Sequence, residues 1–277
     1  MKQFKVALQL YSVRDDMAKD MEGTLKAVKD MGYDYVEFAG YFDRSAQEVR
    51  DMLDKIGLKA VSVHQVYDVF LEDQQAAIDY LKTIGVSYSA VPWMDVAKHA
   101  GHGCFEQTVA EFLKVGAALK EAGIQLLYHN HDFEFETYEG KFLLDWLYDS
   151  VSADLLKTEI DTCWVRYAGQ DPAAYIRKYT GRSPVVHLKD FTCDNFSAGP
   201  VYALIDDKGQ EGKKPSREEA NFKFQPVGYG VQDIPSILAA AEDAGADIVV
   251  VEQDQSLERP ALESVKMSRD YLKKLGQ

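Results

Sequence analysis

The chain predicts one (β/α)8 barrel spanning residues 1–277, an α/β fold, and three observations carry that expectation. A helix, a glycine and a short apolar strand recur as a unit, with helices stopping at Gly32, Gly57, Gly85, Gly123 and Gly245. Ionisable residues fall at the C-terminal ends of the strands, the end where barrels of this kind keep their chemistry. Eight units in 277 residues give roughly 35 residues each, the size such a barrel needs.

In order, residues 5–11 read as the first strand, and 19–31 show helical spacing through Met21, Leu25, Val28 and Met31. Residues 33–38 form the second strand. Ser45 caps a helix that ends at Gly57 and leads into the third strand, 58–64. The unit then repeats as helix 72–84 and strand 86–92, then helix 105–122 and strand 124–130. The second half supplies a helix near 141–150, strand 155–161, a short helix opened by Asp171-Pro172, and strand 184–188. A helix from Pro235, strand 247–252 and an amphipathic helix 261–274 complete eight units. One connection, 191–230, is far longer than the usual few residues, polar and turn-rich in its middle at 206–215, and it is expected over the top face as a lid or an oligomer contact.

Composition limits the partners. With 45 acidic against 31 basic side chains the net charge is −14, which repels phosphate backbones and argues against nucleic acid. Cys104, Cys163 and Cys193 show no Cys-x-x-Cys spacing, so neither a disulfide framework nor a thiolate zinc site is expected. The opening residues 1–11 are too short and polar an apolar run for a signal or a membrane span. A soluble, cytoplasmic protein is expected, although a chain already trimmed of an export signal would read the same.

The strand ends carry Gln9 and Tyr11, Glu37, His64, His129 and His131, Asp161, His187 and Glu252, with Lys189 two residues beyond His187 on the same face. Burying so many ionisable groups is costly unless they pair or bind a metal, so together they describe a polar pocket. His64, Trp93 and Gln9 are candidates for touching substrate. Trp164 and Tyr128 read as wall or core, and Glu159 as a salt-bridged carboxylate behind Asp161. Asp161, His187 and Glu252 form a divalent-metal set by composition, suited to Mn, Co, Zn or Mg.

The segments 159–162, 167–172, 176–179 and Val186-His187-Leu188-Lys189-Asp190 resemble the second half of the sugar phosphate isomerase/epimerase family, the xylose-isomerase-like TIM barrels. Pro226-Val227-Gly228-Tyr229-Gly230, Val251-Glu252-Gln253-Asp254, Leu8-Gln9-Leu10-Tyr11-Ser12-Val13-Arg14 and Tyr35-Val36-Glu37-Phe38 extend the resemblance over nearly the whole chain, least securely from 191 to 224. It implies one divalent metal ion held by Asp161, His187 and Glu252. The family's fourth ligand, a Glu ending the fifth strand, is His129 here, in Tyr128-His129-Asn130-His131, which resembles the inosose dehydratase branch.

The resemblance implies a metal-dependent isomerase or epimerase acting on a small keto-sugar or cyclitol through an enediolate. The alternative is a dehydratase or lyase that eliminates a group β to the carbonyl. A non-catalytic sugar-binding barrel and an apurinic-endonuclease-like enzyme are weaker readings. The replacement of the family Glu by His129 removes one of a carboxylate pair and tilts the chemistry from epimerisation towards isomerisation or elimination. His131 is the expected base, with Glu37 or Glu252 as its substitute, and Lys189 is expected to steady a substrate oxygen or the enediolate. The substrate is expected to be unphosphorylated, because no basic Gly-rich cradle is evident. A homo-oligomer is compatible with the sequence.

Overall fold

A computed structural model describes residues 2–194 and 220–277. Eight parallel strands close a barrel: β1 Lys5–Gln9, β2 Tyr35–Ala39, β3 Lys59–His64, β4 Tyr88–Val91, β5 Gln125–His129, β6 Leu156–Asp161, β7 Val185–Leu188 and β8 Ile248–Val251. Each pairs with its sequence neighbours, and β8 closes on β1 through Lys5↔Ile248 to Leu8↔Val251. Helices pack outside. Inside, the lower barrel is filled by Ala7, Val61, Ala90, Leu127, Val185, Ile248 and Val250. This apolar plug leaves the polar strand ends above it with no access from below.

Local chemistry sets the element bounds. Ser45 and Glu48 form a reciprocal capping box on helix Ala46–Ile56, and Gly57 ends that helix at φ +79°, where a Cβ would be strained. The first strand is shorter than the sequence suggests. It stops at Gln9 because the Gln9 side chain accepts from the Tyr11 N–H at 3.0 Å and starts a 3₁₀ turn, Leu10–Val13, so Tyr11 leaves the strand. The helix expected over 19–31 is Met21–Asp30, capped by Asp20, and a further short helix, Arg14–Lys19, precedes it and ends at that same residue. Asp73 does the same between a short helix, Asp68–Glu72, and Gln74–Ile84, the helix expected over 72–84.

Strand β3 carries a bulge. Val36 faces Ala60, but Glu37 faces Ser62, so Val61 is an extra residue that fills the inner plug while His64 lines up with Ala39. Without that step the alternation would not serve both layers.

The ends of the long 191–230 connection form an antiparallel hairpin, Asp190–Thr192 with Lys223–Gln225. Of this connection, expected as a lid or an oligomer contact, residues 195–219 lie outside the described residues. Asp190 ties the returning loop down. Its carboxylate accepts the N–H groups of Gly228 at 2.9 Å, Gly230 at 3.0 Å and Gln232 at 3.1 Å. A Cβ on Gly230 would collide with Asp190 and the Phe191 carbonyl. Asp190→Ala is expected to cost about 1–3 kcal/mol of unfolding free energy, read by urea denaturation, because those donors lose a charged acceptor.

Candidate active site

Inward alternation brings Gln9, Glu37, His64, His129, Glu159, Asp161, His187 and Glu252 to one rim. Gln9, Glu37, Glu159, Asp161 and His187 have no exposed surface. Such burial is tolerable only with partners, and the partners are in place.

Two layers are distinguishable. In the lower one, His64 Nε2 lies 2.8 Å from Glu159 Oε2 and 3.4 Å from Glu37 Oε2, and His187 Nε2 lies 2.7 Å from Glu37 Oε2. Gln9 Nε2 donates to the same Glu37 oxygen at 2.9 Å and fixes its orientation. In the upper layer, Lys189 Nζ sits 3.1 Å from Asp161, 2.9 Å from Glu252 and 2.9 Å from Asp254. His187 joins the layers, because its Nδ1 lies 3.0 Å from Glu252 Oε2.

Asp161 is aimed by the backbone that follows it. Its Oδ1 caps helix Thr162–Tyr167 by accepting from the N–H groups of Cys163 at 2.8 Å and Trp164 at 3.3 Å. Asn130 accepts from the Asp161 N–H at 3.0 Å, so the other carboxylate oxygen, Oδ2, is left facing Lys189 and the 3.6 Å-distant His129 Nε2.

Charge balance separates the ionisation states. Burial raises Glu37, and Glu159 adds to the rise. Burial works against the charged forms of Glu159 and His187, but their mutual attraction outweighs it and holds Glu159 well below, and His187 well above, their ordinary values. Lys189 stays charged despite burial because Asp161, Asp254 and Glu252 surround it. Burial pushes Asp161 up to about 6 against the pull of Lys189. The histidines diverge. His129 is pushed down to about 3 by burial, and His131 falls well below its usual value through burial, His129 and Lys189. Burial also opposes charge on His64, yet Glu37 and Glu159 raise it.

A cavity of about 540 Å³ opens above this floor, with His64, His129, His131, Lys189, Glu252 and Trp93 in its wall. A depression of about 510 Å³ at the opposite end of the barrel is lined by Lys5, Arg50, Asp54 and Asp247 among others. Lys5 pairs with Asp247 and Arg50 with Asp54 at its surface, whereas the buried, convergent ionisable groups lie at the C-terminal end.

The expected residues divide accordingly. His64, His129, His131, Lys189, Glu252 and Trp93 line the cavity, whereas Gln9, Glu37, Asp161 and His187 lie beneath its surface. Gln9 therefore faces Glu37 instead of the cavity. The strand parity expected to carry His131 fails, because β5 ends at His129. A turn delivers His131 instead. Glu134 accepts the His131 N–H at 2.8 Å and the Tyr128 hydroxyl at 2.6 Å, and His131 stacks on Phe133 at 5.6 Å. Glu159 is more central than a carboxylate behind Asp161, since its Oε2 lies within 3.5 Å of His64, His129 and His187. Asp254 and Asn130 escaped notice in the sequence. Asp254 carried a signal, standing two residues beyond Glu252, the same spacing that exposed Lys189 beyond His187.

The donor set fits a divalent ion. His129, Asp161, His187 and Glu252 each offer one ligand atom, all within 4.8 Å of one another. The buried Asp161 Oδ2 accepts no well-aligned hydrogen bond among the described residues and faces the Lys189 ammonium at 3.1 Å and His129 Nε2 at 3.6 Å. Glu37 at His187 Nε2 supplies the carboxylate that metal-ligating imidazoles commonly need on their other nitrogen, and Nδ1 faces the remaining ligands.

Burial pushes Glu134 up to about 8 from an ordinary 4.5, so its protonated form stabilises the fold. That contribution is complete below about pH 4.5 and is lost as pH rises through about 8. Glu134→Gln mimics the protonated form. Its melting temperature, followed by circular dichroism, is expected to gain on the unsubstituted protein as pH is raised from about 5 to about 8.

A family model described as xylose isomerase-like TIM barrel matches residues 25–275. An inosose dehydratase of Clostridium perfringens is 30% identical over 179 residues, covering 60% of this chain and 54% of that protein. This chain thus spans about half the length of that relative. The fold is shared with a sugar phosphate isomerase/epimerase from Parabacteroides distasonis, at TM-score 0.75, 22% identity and 98% coverage of both chains. It is shared also with the IOLI protein solved with a bound zinc atom, at TM-score 0.66, 14% identity, and 98% and 97% coverage of this chain and that one. Among the described residues, no helix is long and apolar enough to cross a membrane. With the family match spanning most of its length, the chain belongs to the xylose isomerase-like TIM barrel family.

Proposed function

We propose that the chain is a divalent-metal-dependent enzyme that removes the proton next to the carbonyl of a small keto-sugar or cyclitol and completes the reaction by β-elimination of a hydroxyl. The observation that carries this reading is geometric: two imidazoles, His64 and His131, stand in the wall of one cavity beside the ligand set His129, Asp161, His187 and Glu252, so that two groups able to move protons share one site with a Lewis acid's ligands. The two imidazoles flank His129, with ring centroids 4.7 Å from it for His64 and 5.3 Å for His131.

A divalent ion held by His129, Asp161, His187 and Glu252 would supply a Lewis acid beside the substrate carbonyl. His131 takes the α-proton. Lys189, an ammonium on the cavity wall, stabilises negative charge developing on the substrate oxygen. The bond from the β-carbon to its hydroxyl breaks, and His64 gives its proton to that leaving group, which departs as water. Solvent then restores both histidines. The likeness to an inosose dehydratase supports the elimination.

The second reading is isomerisation or epimerisation, in which the abstracted proton returns to carbon; the structural likeness to a sugar phosphate isomerase/epimerase favours it.

Incubating the protein with a panel of keto-inositols and keto-hexoses in deuterated water tests both. Elimination predicts an unsaturated product with loss of water. Deuterium at an inverted or neighbouring carbon with no dehydrated product would replace the dehydratase reading by the second. Asp161→Ala is expected to lose the bound ion by elemental analysis, and full retention would remove that ligand set. Lys189→Met should keep the ion while turnover falls about 100- to 1000-fold, the usual cost of losing one group that stabilises a developing oxyanion.

A further inference from the structure

We propose that the substrate carries a second ring, so that the cavity takes a keto-sugar glycoside, with the reacting sugar on the ionisable floor and the other ring stacked on Trp93 and Tyr11. This rests on the preceding reading of the floor as the reacting end. The cavity, about 540 Å³, lies within the range of roughly 300–1,000 Å³ that holds drug-sized ligands. Its lining divides into an ionisable set, His64, His129, His131, Lys189, Glu252 and Asp254, and an apolar and aromatic set, Ala39, Pro92, Phe133, Trp93 and Tyr11. Hydroxyl groups of a sugar held only by the second set would be desolvated without partners, whereas the flat face of a ring would not.

The rim is also aromatic among the described residues, and part of it is braced. Trp93 is 49% exposed and Tyr11 42% exposed, a large aromatic surface left beside a polar pocket. Tyr11 is fixed in place. The Arg14 guanidinium lies 4.1 Å from its ring centroid and donates at 2.8 Å to both the Tyr11 and the Asp254 carbonyls. Asp254 is also the residue whose carboxylate holds Lys189, so rim and floor share one support. A wall held this way is a stacking platform prepared before the ligand arrives.

The test compares the phenyl, glucosyl and methyl glycosides of one keto-hexose by calorimetric titration and by tryptophan fluorescence. Either ringed ligand is expected to bind at least tenfold more tightly than the methyl glycoside, and that ratio should fall below threefold in Trp93→Ala. A preference for phenyl identifies an aromatic substituent, and one for glucosyl identifies a second sugar. Thermal melting of Trp93→Ala confirms that it is folded. Equal affinity for all three ligands, no binding by any, or a ratio unchanged in Trp93→Ala overturns the proposal. So does tryptophan emission that shifts with protein concentration alone, which would make the rim a contact between copies. The two readings fail separately. A ringed-ligand preference lost in Trp93→Ala without deuterium exchange sinks the reaction, and exchange without that preference sinks the second ring.

Discussion

The site depends on five buried carboxylates gathered around two histidines and one lysine. Glu37 and Glu159 survive at zero exposure because His64 and His187 stand within hydrogen-bond reach, and Asp161, Glu252 and Asp254 because Lys189 stands among them. Removing a partner of Glu37 or Glu159 strands a charge beneath the cavity surface, a loss larger than the interaction itself was worth. The apolar plug beneath makes this severe, since Ala7, Leu127 and Val250 offer nothing to a displaced proton or charge. The floor is therefore a unit, and the loops above it are where the chain can vary.

Much of that unit was legible in the sequence, for a geometrical reason. A parallel strand buried on both faces reads as an apolar run, and a charge at its end is conspicuous; His187 after Val185-Val186 and Glu252 after Val249-Val250-Val251 are cases in point. The glycine stops were legible because a left-handed helix end has few other solutions. Placement beyond the strand ends was not. His131 reaches the cavity through a turn held by Glu134, and that depends on a contact with Tyr128 across the chain that no periodicity encodes. Nor does alternation distinguish a residue that lines a cavity from one directly below it. Gln9 and His64 have the same status in the sequence, yet only His64 meets the cavity.

Residues that organise the site often have two tasks. Asp161 caps a helix with one oxygen and faces the cation cluster with the other, and Asp254 holds Lys189 with its carboxylate and Arg14 with its carbonyl. The cap does more than satisfy backbone donors, because a carboxylate held by one oxygen cannot spin. The orientation of the pocket is inherited from ordinary secondary structure, which makes it robust to changes in the loops.

The extra residue in β3 makes Val61 a spacer. It is counted by the barrel interior and skipped by the pairing with β2, which resumes with Ser62 opposite Glu37 and His64 opposite Ala39. Taking Val61 out would therefore leave the rim in step, since Ala60, Ser62, Val63 and His64 would then alternate without interruption. The loss would fall on the apolar plug, one of whose side chains is Val61, so the bulge lets this strand fill the interior without turning its polar end.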